Sequence, residues 1–153
     1  SAQKESFSER AAVICDKEKS SPDALQLVEE IAKTLDMHTI YMPSTDHDVH
    51  TAYISHISHI TSYALANTVL EKEREEDTIF QLASSGFSST VRLAKSHPEM
   101  WVPIFKQNKE NVLDVLNEHI TQLRKFKSAL EKENYELLEE LIRNANKIRG
   151  ILK

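Results

Sequence analysis

Apolar positions recur along the chain in two rhythms, one short and strand-like, the other long and helical. Ala11-Ala12-Val13-Ile14-Cys15 is a continuous apolar run, the pattern of a buried strand. Ser21 and Pro22 then form a helix start, with Ser at the N-cap and Pro at the first helical position. Leu25, Val28, Ile31 and Leu35 follow at helical spacing and define one apolar face. His38-Thr39-Ile40-Tyr41-Met42 reads as a second strand, stopped by Pro43. Strand, helix and strand within about 30 residues make one βαβ unit. Two strands alone do not form a stable sheet. The unit therefore reads as the edge of a larger α/β domain, in preference to a small α+β cap on a helical one.

After Pro43 the pattern is helical to the end. Thr45 with Asp46 and Asp48 behind it fits an N-cap and an acidic first turn, and predicts a helix from about Asp46 to Glu71. Its apolar residues, among them Ala52, Ile57, Leu65 and Val69, go most of the way round. A helix apolar on most sides is covered on most sides, which in a domain this small points to a second subunit. Glu71–Asp77 is a charge run, read as a solvated helix end or turn, and Thr78–Ser84 as a short helix. Ser85-Gly86 is expected to break it, Ser88 or Ser89 to cap another short helix over Thr90–Ala94, and Pro98 to start the next. Pro103 is expected to kink or split that one. Leu113, Leu116, Ile120, Leu123 and Leu130 form one stripe, and Tyr135, Leu138, Leu141, Ala145, Ile148 and Leu152 another. These predict an antiparallel helical hairpin whose role is packing. The resulting division is an α/β piece at residues 1–43 and an all-helical domain at 44–153.

Composition removes several function classes. The 153 residues carry 19 basic and 24 acidic side chains, a net charge of −5. No broad cationic surface is available for nucleic acid. A lone Cys15 excludes a disulfide within one chain and fits a reducing cytoplasm. No apolar run approaches the roughly 18 residues of a membrane span, and no secretory segment opens the chain. With only Gly86 and Gly150, neither G-x-G-x-x-G nor a Walker loop can be written.

Candidate chemistry concentrates in Ser55-His56-Ile57-Ser58-His59. His56 and His59 are three apart and so share a helix face. A metal reading is weak, because H-E-x-x-H is absent and no carboxylate or thiolate completes the set. Ser55, His59 and Tyr63 step by four along one stripe, and spacing alone leaves a polar binding pocket and plain packing equally open. Arg92 follows a Gly-Phe break and sits among Val91, Leu93 and Ala94, a setting that suits bidentate capture of a carboxylate; the plain alternative is a surface salt bridge. Cys15 has no basic neighbour and reads as a core residue. No nucleophile–base pair is visible.

Together these strings resemble prephenate dehydrogenase: Asp46-His47-Asp48 leading to Ser55-His56-Ile57-Ser58-His59, Ser85-Gly86-Phe87 leading to Arg92-Leu93-Ala94, and Pro98-Glu99-Met100-Trp101 leading to Asn108. The family pattern runs roughly H-D, S-H-L-P-H, G-G-F…T-R-I-A and P-x-M-W…N, in this order and spacing. The resemblance implies a mainly α fold: a helical dimerisation domain preceded by a βαβ remnant of a Rossmann domain. It also implies oxidative decarboxylation of prephenate to 4-hydroxyphenylpyruvate with NAD, on the route to tyrosine. By the same resemblance Arg92 binds a substrate carboxylate, His59 faces the substrate, Gly86 lets backbone approach it, and His56 is a further substrate contact. The implied partners are a second copy of the chain, prephenate, and tyrosine as a feedback ligand, in the cytoplasm. The family's glycine fingerprint and its H-P-M histidine are absent, so this chain is expected to lie downstream of both, to hold no catalytic or cofactor-binding residue of its own, and to be inactive alone. Ser85 stands for the first Gly of G-G-F, Ser58 for the Pro of the histidine string, and Ser88-Ser89 for a charged pair. The competing class is a non-enzymatic dimeric helical module, regulatory or tyrosine-binding. A His-rich metal-binding bundle is the third option.

Overall fold

The computed structural model describes residues 6–73 and 79–151. The chain divides into two compact units, Ser1–Ile54 and Ser55–Lys153. The first holds strand β1 (Ala11–Cys15), helix α1 (Pro22–Thr34), strand β2 (His38–Met42) and helix α2 (Ser44–Thr51). β1 and β2 pair in parallel from Ala11 opposite His38 to Cys15 opposite Met42, as a βαβ crossover requires. Ser21 caps α1 as its sequence indicates, its hydroxyl accepting from the Ala24 amide. The apolar face of α1 is only partly used. Ala32 is buried and Leu25 half-buried, while Val28, Ile31 and Leu35 are exposed, because two strands offer too narrow a surface to cover them all.

α2 begins at Ser44, with Pro43 as its N-cap, and not at Asp46 behind a Thr45 cap. The reason lies across the unit. Asp16 leaves β1 at φ 47°. Its carboxylate accepts from the Ser44 amide at 2.8 Å and the Ser44 hydroxyl at 2.7 Å. Pro43 has no side-chain cap to offer, so Asp16 satisfies the first amide of the helix from outside. Lys19 completes the cluster, its Nζ 2.9 Å from the same carboxylate. The Lys19 and Ser44 hydrogen bonds together hold the Asp16 carboxyl at about 2, below the ordinary 3.8. The folded value is depressed, so the stability that Asp16 supplies is complete above 3.8 and is lost as pH falls through about 2. Asp16→Asn is expected to flatten the acid limb of the unfolding curve over that interval. An acid titration followed by circular dichroism checks it, and an unchanged limb would contradict the role given to Asp16.

The second unit is entirely helical. Between α2 and helix α3 (Ile57–Glu73) lies a π-turn, Ala52–His56. Such wide turns are rare and cluster at functional sites. Then come a 3-10 turn at Ile79–Leu82, helix α4 (Ser85–Thr90), a 3-10 turn at Arg92–Lys95, helix α5 (Pro98–Gln107), helix α6 (Lys109–Glu131) and helix α7 (Tyr135–Asn146). Part of the Glu71–Asp77 charge run, like Thr78, lies outside the described residues. Three expectations are corrected. Ser85-Gly86 starts a helix and does not break one, Gly86 having ordinary helical geometry with no positive φ. The helix expected over Thr90–Ala94 is divided at Val91, where α4 gives way to the tighter turn. Pro103 neither ends nor splits α5, which runs on to Gln107.

α6 and α7 form the expected hairpin, linked by Lys132–Asn134 with Glu133 at φ 52°. Asn134 caps α7 by accepting from the Leu137 amide at 3.0 Å. The buried seam of α6 is not the stripe its leucines suggest. Val112, Val115 and Ala129 are buried, whereas Leu113, Leu123 and Leu130 are exposed. α6 is apolar on two adjacent faces, and the chain's own contacts cover the one with the smaller side chains. Among the described residues, no helix is long and apolar enough to cross a membrane.

Candidate functional site

Trp101 is the largest side chain buried in the second unit, at 6% exposure. Pro98 sets the first turn of α5 and so aims this indole at α3. The His59 imidazole stacks on it, ring centroids 3.4 Å apart and planes 28° from parallel. Phe105, one turn further along α5, lies 5.5 Å from the indole. His56 meets both rings edge-on, at 6.1 Å and 6.2 Å. The π-turn ends on His56 and His59 stands in the first turn of α3, so the change of helical pitch helps bring both imidazoles to one indole.

The polar contacts assign protons to the two histidines. Asn108, between α5 and α6, accepts at Oδ1 from Asn111 Nδ2 at 2.7 Å. That fixes its amide, so Nδ2 donates to His56 Nδ1 at 3.3 Å. His56 Nδ1 is therefore an acceptor, and the ring is a buried, neighbour-held group. His59 Nδ1 lies 3.1 Å from the Ser55 carbonyl. A carbonyl only accepts, so Nδ1 carries the proton. Both imidazoles thus have Nδ1 committed to the protein. Among the described residues no group of three His, Cys, Asp or Glu gathers as a metal site would need.

Beside this cluster is an open cleft of about 380 Å³, lined by Tyr63, Ala94, Ser96, Pro98, Trp101 and Phe105 among others. Ser96 donates its hydroxyl proton to the Leu93 carbonyl, so the Tyr63 hydroxyl, 3.0 Å away, donates to Ser96 Oγ. The Tyr63 oxygen is left able to accept. Trp101 Nε1 is buried with no hydrogen-bond partner among the described residues. A flat apolar wall with a few converging polar groups is the ordinary composition of a small-molecule site. A second hollow, between Val69, Phe80, Leu82 and Phe87, is lined by no titratable side chain among the described residues.

The structure brings His56 and His59 together at Trp101. None of His56, His59, Gly86 and Arg92 is among the residues that line the cleft; the two histidines reach it only through the indole. Arg92 opens the 3-10 turn whose later residues Ala94 and Ser96 line the cleft; it is exposed and has no ion pair among the described residues. A Cβ on Gly86 would lie 3.8 Å from Ser84 Oγ, ordinary contact, so nothing among the described residues demands glycine there. Ser62 and Ser96 escaped the sequence reading. Small polar residues in an apolar helix or a loop carry no signal until their partners are seen. Neither Gly86 nor the turn after β1 offers the glycine-rich cradle that a dinucleotide needs. Gly86 lies within a short helix, and the turn after β1 presents the Asp16 carboxylate, which would repel a pyrophosphate.

Residues 43–144 match the family "Prephenate dehydrogenase, dimerization domain". The chain belongs to that family. The match takes in His56, His59, Gly86 and Arg92. The chain is 29% identical to a prephenate dehydrogenase of Bacillus subtilis over 132 residues, which are 86% of this chain and 36% of that one. It is 30% identical to a cyclohexadienyl dehydrogenase of Zymomonas mobilis over 113 residues, 73% of this chain and 39% of that one. The chain thus spans little more than a third of the length of these relatives. Among solved structures, prephenate dehydrogenase from Aquifex aeolicus in complex with hydroxyphenyl propionate and NAD+ superposes with a TM-score of 0.83 at 27% identity, over 94% of this chain and 50% of that one. That coverage leaves room for few unmatched residues, so β1, α1 and β2 have a counterpart there as well as the helices. Synechocystis arogenate dehydrogenase shares the fold, at a TM-score of 0.80 and 24% identity over 97% of this chain and 54% of that one.

Proposed function

We propose that this chain is the dimerisation and substrate-pocket part of an NAD-dependent prephenate dehydrogenase, with residues 1–43 belonging to the nucleotide-domain side and 44–153 to the helical domain. The observation that carries the reading is the stack of His59 on Trp101, whose indole lines an apolar cleft, in a chain of this family. In the reaction prephenate loses hydride and carbon dioxide and becomes 4-hydroxyphenylpyruvate, and NAD takes the hydride. In this reading NAD is held by the rest of the nucleotide domain, to whose side residues 1–43 belong. What this chain contributes is substrate binding. Trp101 and Phe105 offer a flat wall to a six-membered ring, and the Tyr63 oxygen accepts from a ring hydroxyl. His59, held by Ser55 and Trp101, faces the substrate, while His56 is fixed by Asn108 and sets the indole's edge. Arg92 supplies the positive charge that a dicarboxylate needs. Gly86, in the short helix before Arg92, is the position at which backbone approaches the substrate. Cys15 is a free thiol, in keeping with a cytoplasmic enzyme of tyrosine biosynthesis.

The test is a spectrophotometric assay. The full-length protein, given prephenate and NAD+, is expected to form NADH and 4-hydroxyphenylpyruvate in equal amounts. The isolated 153-residue chain is expected to form neither. A full-length protein inert towards prephenate, or turnover by the isolated chain, would overturn the reading.

A further inference from the structure

We propose that Ser62 is the positioning residue that aims Arg92 at the substrate carboxylate; the inference rests on the carboxylate role given to Arg92 above. A serine inside a helix ordinarily returns its hydroxyl to a carbonyl of its own preceding turn. Ser62 does not. Its Oγ leaves α3 to donate to the Thr90 carbonyl at 3.1 Å and to accept from the Ala94 amide at 3.0 Å. The side chain is 1% exposed, so no water replaces either bond.

The two partners bracket a structural joint. Thr90 is the last residue of α4, Val91 is where the pitch changes, and Arg92 opens the 3-10 turn. A single hydroxyl therefore spans the joint, with Arg92 midway between the two groups it holds. The Ala94 amide is shared with the Val91 carbonyl at 3.0 Å, a weak closure for so short a turn, which makes the added bond from α3 count. Arg92 has little else to orient it. Its side chain is exposed and without an ion pair among the described residues, so the backbone beneath it sets where the guanidinium points. Bidentate capture of a carboxylate is sensitive to such placement, and about 1 Å of error is worth up to roughly a hundredfold in an aligned site.

The experiment is a double-mutant cycle in the full-length enzyme, reading KM for prephenate and kcat separately. Ser62→Ala is expected to raise KM about tenfold with kcat changed less than about twofold. In an Arg92→Ala background, the same substitution should change KM by less than about twofold, since the group it positions is gone. Ser62→Cys, near in size and a weaker donor, should fall between wild type and alanine; it also carries the test if Ser62→Ala fails to fold. Equal effects on KM in both backgrounds would reduce Ser62 to a general packing residue and overturn the proposal. An Arg92→Ala enzyme with raised KM, beside Ser62 variants with none, would overturn the positioning role alone. An Arg92→Ala enzyme with unchanged KM would remove the carboxylate role itself, and the proposal with it.

Discussion

Replacing Arg92 with alanine in the full-length enzyme is expected to raise KM for prephenate about ten- to a hundredfold. A hydrogen bond to a charged group is worth about 1.5–3 kcal/mol, and each 1.4 kcal/mol is about a factor of ten in binding. The effect should fall mainly on KM, as expected of a group that binds substrate and takes no part in the hydride transfer. Arg92→Lys should recover part of the loss. A lysine keeps the charge but not the two-pronged geometry. Steady-state kinetics on the three enzymes separates these outcomes. An unchanged KM in Arg92→Ala would make this exposed side chain a surface residue and nothing more.

Local grammar carried much of the fold into the sequence. Ser21-Pro22 announces α1, Pro43 stops β2, and Pro98 opens α5, because each of these acts on its own backbone neighbours. The failures share a physical cause, which is that the deciding partner sits far along the chain. Asp16 sets the start of α2 from 28 residues away, so Thr45 and Asp46 looked like the cap. The joint at Val91 is bridged by Ser62, again 28 residues from Thr90. The buried face of α6 could not be chosen from its own pattern, since Val112 and Val115 compete with Leu113 and Leu123 on neighbouring faces. For the site, the strings around His56, His59 and Trp101 were legible as a family resemblance. Their meeting was not: the stack of His59 on Trp101 and the fixing of His56 by Asn108 are tertiary. The π-turn left no mark that periodicity could read, because Ala52–His56 continues an ordinary helical pattern.

The second large expected effect concerns the assembly. The helical unit leaves large apolar side chains uncovered. Leu113, Leu123 and Leu130 run along α6 uncovered, and Val102 and Leu82 stand out elsewhere in the helical unit. Apolar exposure of this extent marks a surface that another protein covers, and in a chain of a dimerisation-domain family the cover we expect is a second copy. The measurement that tests this most directly is sedimentation equilibrium of the 153-residue chain at micromolar concentration. The expected result is a single species of twice 17.5 kDa, with no monomer on dilution through that range. A species of 17.5 kDa, folded and stable alone, would contradict the account of this chain as a dimerisation domain.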